Sequence, residues 1–249
     1  MEIRKSFIMS VTSVKGGTGK TTNVLNLAGT YCNLKKKCLI IDLDLYSGDI
    51  AAMLNINYDK DIYNFFEDVA NNNFKHLNDY ITKYNEYIDI LPSPKDPRFA
   101  NKINGKLISL IISKVQTLYD VIIIDTNHYL NLINLVAFDK SDQILYVLNG
   151  NLMNLKSMKT FVSIFNNINK KNYKVLLYEA RDKKRNVLSE SEISGVIKHD
   201  IDFQISSSFY QKNYEDYVLK GKIMTLESYK LNKIYNDIIK QLEQVKYEK

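Results

Sequence analysis

The apolar positions of this chain follow two alternating patterns. Short continuous runs rich in β-branched residues stand at 7–14 (FIMSVTSV), 38–42 (CLIID), 87–91 (YIDIL), 120–125 (DVIIID), 143–148 (QILYVL) and 173–178 (YKVLLY). Unbroken apolar runs mark strands covered on both faces, as in parallel sheets. Between them the apolar positions recur at helical spacing, as Val24, Leu25, Ala28 and Tyr31 do, and again Leu107, Leu110 and Ile111 with the stem of Lys114. Such a βαβ series predicts an α/β fold, a doubly wound, mostly parallel sheet with helices on both faces. No Gly/Ser linker or repeat divides it, so residues 1–249 are expected to form a single domain. The Asn run at 71–73 reads as a surface loop, and Pro92, Pro94 and Pro97 as a rigid loop at the carboxyl end of the 87–91 strand.

Composition narrows the class. Apolar residues make up 45% and charged residues 25%, the balance of a globular protein and not of a disordered or fibrous one. The opening MEIRKSFIMSVTS superficially has the basic-then-apolar look of a signal peptide, but Lys15 interrupts the run and no small-residue cleavage site follows. No apolar stretch reaches the roughly eighteen residues of a membrane span. Cys32 and Cys38 have no metal-type spacing and read as reduced core residues of a cytoplasmic protein. The net charge of +6 is dispersed, with tight clusters only at 35–37 (KKK) and 183–185 (KKR), so nucleic acid is not the expected partner. Near the end, Leu231, Ile234, Tyr235, Ile238, Ile239, Leu242 and Val245 line one helical face. That face either covers the sheet or lies on a membrane. Asp237, Glu243 and Glu248 dilute its basic side and favour the first reading, leaving peripheral membrane contact open.

The first strand runs into Lys15-Gly16-Gly17-Thr18-Gly19-Lys20-Thr21-Thr22 and then a helical pattern. In that context glycines let backbone N–H groups curl around phosphate oxygens, and the helix N-terminus adds partial positive charge. Lys20 is placed to neutralise β- and γ-phosphates, and the Thr21 hydroxyl to ligate Mg²⁺. The strict G-x-x-x-x-G-K-[ST] pattern fails at its first position, which is Val14. Asp42 and Asp44 close the second strand and Asp125 the 120–125 strand, so all three should converge on the edge where doubly wound sheets bind ligands.

The residues KGGTGKTT match the deviant Walker A motif, and through them the chain resembles the MinD/ParA superfamily of P-loop NTPases. The resemblance implies an ATPase using ATP and Mg²⁺ through Gly16, Gly17, Thr18, Gly19, Lys20, Thr21 and Thr22, working as an ATP-dependent homodimer. Lys15 would reach the partner subunit's nucleotide and stabilise developing charge there. Asp125 would hold Mg²⁺ through water, Asp42 would support the magnesium shell with Thr21, and Asp44 would orient the attacking water. The stretch 42–56 (DLDLYSGDIAAMLNI) lacks the Pro-Gln of partition ATPases. With 61–69, 90–97, 119–150 and 219–226, it looks like the CpaE/TadZ branch, which places or assembles type IV pili and related secretion machines. A cytoplasmic protein brought to the inner membrane face by its partner is therefore expected. The alternatives are a scaffold that holds nucleotide without useful turnover and a ParA-like DNA partition ATPase.

Some positions depart from the family. Thr126-Asn127-His128 replaces prolines after Asp125, Ala180-Arg181 stands in place of an Asn-Arg pair that helps read adenine, and Ser206 in place of a proline. His128 titrates near neutral pH but reads first as a loop residue, and Glu179 is a candidate for the adenine amino group.

Overall fold

The six apolar runs form six strands, each ending where the run meets a polar or glycine-bearing turn. The computed structural model describes residues 5–179, 188–206 and 214–244. In chain order it contains β1 (Phe7–Thr12), α1 (Lys20–Asn33), β2 (Cys38–Leu43), α2 (Asp49–Met53), α3 (Ile62–Ala70), β3 (Thr82–Lys83) and β4 (Ile88–Leu91). These are followed by α4 (Gly105–Val115), β5 (Val121–Thr126), α5 (Leu132–Lys140), β6 (Gln143–Leu148), α6 (Leu152–Asn167) and β7 (Tyr173–Tyr178). The remainder is α7 (Glu190–Ile197), β8 (Phe203–Ile205), α8 (Tyr214–Leu219), α9 (Met224–Glu227) and α10 (Tyr229–Gln244). The strands form one sheet of order β3-β4-β2-β5-β1-β6-β7-β8, parallel except for the antiparallel β3–β4 pair at one edge.

Side chains alternate along each strand between two cores. Phe7, Met9 and Val11 of β1, Val121 and Ile123 of β5, and Leu145 and Val147 of β6 face a core shared with α1 and α10. Ile8, Ile122 and Ile124 face the opposite side, against Leu107, Ile108 and Ile111 of α4. Tyr146 and Val175 face that same side further along the sheet, against Leu155, Met158 and Val162 of α6. Helices therefore cover both faces, as the sequence predicts, and β1 stands between β5 and β6 near the middle of the sheet.

The proline-bearing loop follows β4, as the sequence predicts. Pro92, Ser93 and Pro94 are buried in the loop after β4, and Pro97 opens a 3₁₀ turn over Pro97–Lys102. Asp61 fixes this loop: its carboxylate caps α3 by accepting from the Tyr63 and Asn64 N–H groups and also accepts from Lys95 N–H at 2.9 Å. Residues 71–73 form the turn after α3, with Asn72 at φ 57°.

On α10, Leu231, Tyr235, Ile238, Ile239 and Leu242 are buried in the core beside α1. Freeing that face to meet a membrane would expose side chains whose burial contributes on the order of 10 kcal/mol in all. The sheet-covering reading of this segment is the one the packing supports. Val245 and Glu248 lie outside the described residues, as do the 183–185 cluster and Ala180-Arg181. Among the described residues no helix is long and apolar enough to cross a membrane. Both cysteines are free, Cys38 buried and Cys32 half-buried, and burial pushes both thiols up.

Candidate phosphate-binding site

β1 delivers the chain to its carboxyl end at Thr12, where the Ser13 hydroxyl donates to the Lys15 carbonyl at 2.6 Å and turns the backbone outward. Lys15, Gly16 and Gly17 are exposed, whereas Thr18 and Lys20 are buried. Gly17 and Gly19 have φ of 73° and 96°, in the left-handed region that side chains avoid. A β-carbon at Gly16 or Gly17 would meet no atom within 4 Å, so this stretch borders open space. A β-carbon at Gly19 would lie 2.6 Å from the Tyr178 ring, which packs under the loop. α1 then begins at Lys20 with no side chain capping it, so no side chain answers the first N–H groups of a fourteen-residue helix. An open glycine cradle ending in an uncapped helix N-terminus suits an anionic group.

The carboxylates converge beside this loop. Asp42 of β2 and Asp125 of β5 are paired in register on adjacent parallel strands. The Thr21 hydroxyl, one residue into α1, donates to Asp125 Oδ2 at 2.7 Å, while the buried Asp125 Oδ1 has no hydrogen-bond partner. Asp42 is differently engaged, since its two oxygens accept from the Asp44 N–H at 3.1 Å and the Ile50 N–H at 3.4 Å. It thereby braces the turn that carries Asp44. The turn closes at Gly48, whose φ of 56° and close approach to Ser93 leave no room for a side chain, and Asp49 follows at the start of α2.

The electrostatics follow from this crowding. Burial pushes the Asp125 carboxyl up to about 7, with Lys20 and the Thr21 hydroxyl pulling the other way. Burial also raises Asp42 well above the usual carboxylate range, aided by the neighbouring Asp125. Asp44 is raised by burial, against the opposing pull of Lys20. Burial thus makes it costly to ionise these carboxyls beside a single buried lysine, and a bound cation would favour their charged forms. An unpartnered carboxylate oxygen beside a hydroxyl and a second carboxylate is a hard oxygen donor set of the kind magnesium takes. Among the described residues no group of three or more His, Cys, Asp or Glu side chains could hold a metal ion. Phosphate and water oxygens would therefore complete the shell, as is usual for magnesium at phosphate sites.

The loop after β5 is held without prolines. Buried Asn134 of α5 donates through Nδ2 to the Asn127 carbonyl at 3.1 Å, to Asn127 Oδ1 at 3.0 Å and to the Tyr129 carbonyl at 2.6 Å. Asn127 Oδ1 in turn accepts from the Tyr129 N–H at 2.9 Å. This clasp keeps His128, a loop residue as expected, within electrostatic reach of Lys20 and Asp44. Burial and Lys20 depress its pKa, and Asp44 opposes them. Thr22 pairs with the Tyr214 hydroxyl at 3.1 Å, and Glu179 accepts from Gln204 Nε2 at 3.1 Å at the far end of β7. Asn134, Tyr178 and Tyr214 escape a motif search because none lies in a phosphate-loop pattern. For Asn134 the legible signal is its pairing with an Asn127 that stands where a stiffer residue is expected.

The family described as an AAA domain, AAA_31, matches residues 6–178, from the start of β1 to the end of β7. The chain belongs to this family. Its likeness is to MinD- and ParA-type P-loop ATPases. It is 32% identical over 165 residues to the virulence plasmid ParA family protein pGP5-D of Chlamydia psittaci, a match spanning 62% of either chain. In three dimensions it is similar to a ParA family ATPase from Chlorobium tepidum, with a TM-score of 0.80 at 19% identity, covering 94% of this chain and 98% of the other. It is also similar to the septum site-determining protein MinD of Pyrococcus horikoshii complexed with Mg-ADP, with a TM-score of 0.76 at 23% identity and 96% coverage of each chain. The last two establish the doubly wound fold.

Proposed function

We propose that the chain, as a single domain over residues 1–249, is a magnesium- and ATP-dependent switch that dimerises around its nucleotide and slowly hydrolyses it. The observation that carries this reading is the 2.7 Å Thr21–Asp125 hydrogen bond beside an unpartnered carboxylate oxygen, at the foot of an open glycine cradle. The backbone from Gly16 to Thr22 would hold the phosphates, Lys20 would neutralise them, and Thr21 and Asp125 would hold magnesium, with Asp42 bracing the adjoining turn. When bound, the ion neutralises charge on the phosphate oxygens. Asp44 would orient the attacking water, which suffices for a reaction that depends chiefly on positioning and charge stabilisation.

Two features support a dimer. Lys15 is exposed at the tip of a deviant Walker A loop, free to reach a facing subunit's nucleotide. Around the same sheet edge Tyr129, Leu130, Leu132, Leu152 and Met153 are all at least 40% exposed, an apolar rim that a second copy would cover. Lys15→Ala should bind MgATP as a monomer and fail to dimerise. Asp44→Ala should dimerise and persist, because the phosphate clamps survive while hydrolysis stops. Size-exclusion chromatography with light scattering, with ATP and with ADP, reads this out alongside phosphate release. A wild type that binds ATP, stays monomeric and releases no phosphate would replace the switch with a nucleotide-holding scaffold.

For its task, the Ser47-Gly48-Asp49 turn in place of Pro-Gln supports the CpaE/TadZ-like reading. In it the protein works in the cytoplasm and serves a pilus or secretion assembly, which brings it to the inner membrane face. Similarity to a chromosome partitioning protein ParA of Myxococcus xanthus favours a second reading, DNA partition. ATP-dependent, salt-sensitive retention on DNA without sequence preference would decide for partition.

A further inference from the structure

Asn23 is fully buried in the first turn of α1, and its two amide ends point to different parts of the fold. Its Nδ2 donates to the Gly19 carbonyl at 2.8 Å, and its Oδ1 accepts from the Tyr235 hydroxyl of α10, also at 2.8 Å. The same hydroxyl accepts from Asn26 Nδ2 at 3.4 Å. The Gly19 carbonyl also takes the Asn23 N–H at 3.0 Å, so this peptide group is pinned by both main chain and side chain of one residue. A line of hydrogen bonds thus runs from the last glycine of the phosphate loop to the last helix. It lies buried in the seam between α1 and α10, whose Val24, Leu27, Leu231 and Ile239 belong to the same core, and there each polar group would be costly without its partner. Burial pushes the Tyr235 hydroxyl well above the usual phenol range, so it remains a donor.

We propose that Tyr235 is a positioning residue for the phosphate loop: through Asn23 it fixes the Gly19 peptide, and with it the direction from which Lys20 and Thr21 meet the phosphates. The proposal rests on the nucleotide-binding reading above. Gly19 sits at φ 96°, between the Tyr178 ring and Asn23 Nδ2, and its carbonyl takes both the main-chain and the side-chain N–H of Asn23, which together set its peptide orientation. Linkage makes the effect reciprocal: if Tyr235 favours the binding conformation of the loop, bound nucleotide must tighten α10 by the same factor. Packing alone predicts neither effect, because phenylalanine would fill the same space.

A matched control lies on the same seam. Thr225 of α9 bonds Asn26 through its hydroxyl at 2.9 Å and its N–H at 3.2 Å, and reaches the line only through the long 3.4 Å Asn26–Tyr235 contact, with no direct bond to Asn23 or Gly19. The full chain is titrated with MgADP by calorimetry, and hydrogen exchange over residues 229–244 is followed with and without MgADP. Tyr235→Phe should bind about fivefold more weakly, the factor that one hydrogen bond of ordinary strength supplies. It should also lose most of the nucleotide-induced protection of α10. Asn23→Ala/Tyr235→Phe should bind no worse than Asn23→Ala alone, because both cut one link. Thr225→Val should lose stability in urea and keep wild-type affinity. Should Tyr235→Phe not fold, Asn23→Ala cuts the same link from the loop side and carries both readouts. Wild-type affinity in Tyr235→Phe, additive losses in the double variant, or equal loss in Thr225→Val would each overturn the inference. A wild type that binds no MgADP would instead overturn the nucleotide reading itself.

Discussion

Asp125→Asn separates what this carboxylate does for the site from what it does to the fold. Burial holds the wild-type carboxyl up at about 7 against an ordinary 3.8, a gap of about three pH units that corresponds to roughly 4 kcal/mol. Below about pH 4 both folded and unfolded chains are protonated here, and nothing is lost. Between about pH 4 and 7 the folded chain keeps a proton that the unfolded chain has released, so stability falls as pH rises through that window and levels off above it. Asparagine removes this dependence and keeps an acceptor for Thr21. Its new amide donor, buried without a partner, costs about 1–3 kcal/mol. In the absence of magnesium the variant should therefore exceed the wild type by roughly 1–3 kcal/mol at pH 8. By pH 5 most of that advantage disappears, a change of about 2–3 kcal/mol across the window. Relief of Asp42, which is raised partly by Asp125, acts in the same direction. Urea unfolding of both proteins at fixed ionic strength from pH 5 to 8 measures the difference directly, since groups common to both cancel. A gap that stays constant over this range would refute the buried-charge account. The same variant should lose the magnesium-dependent part of nucleotide binding, exchanging function for stability.

Two further substitutions test the loop. Gly19→Ala should destabilise the chain by about 1–2 kcal/mol or more, from left-handed backbone strain and from a β-carbon 2.6 Å from the Tyr178 ring, and should abolish nucleotide binding. Adding Tyr178→Ala should relieve the clash without restoring affinity, because the backbone strain remains; thermal melts and calorimetry follow the two effects separately. Lys20→Ala should weaken MgATP binding by about a hundredfold, the scale of a lost charge-assisted contact to phosphate. Undiminished affinity would leave the glycine turn a structural feature only.

The strands were legible because each is covered on both faces, so an unbroken apolar run carries the signal without any need for alternation. The phosphate loop was legible because the order strand, glycines, lysine, helix has few structural uses. Asp42 was read as a magnesium partner, and its position at the strand end beside Asp125 is as expected. Its grip on the Asp44 and Ile50 N–H groups was not, because a turn's internal bonds leave no spacing rule in the sequence. The two-residue β3 and three-residue β8 were missed, being too short to form a periodic pattern. The Asn134 clasp and the Asn23–Tyr235 link escaped for a different reason. Each joins residues that only the folded chain brings together, Asn23 and Tyr235 being separated by more than 200 positions. In sequence a buried asparagine on a helix looks the same as an exposed one.

The brevity of β3 and β8 also limits how copies of this chain can meet. An edge strand recruits a neighbour through its row of unpaired N–H and C=O groups, and two or three residues offer too few to hold one. Growth by sheet extension, which would convert a reversible encounter into an open-ended filament, therefore has little to start from. The proposed dimer would instead meet through the side-chain-lined rim at the carboxyl ends of the strands. A pair meeting face to face on that rim uses the same patch from both sides, so it closes at two.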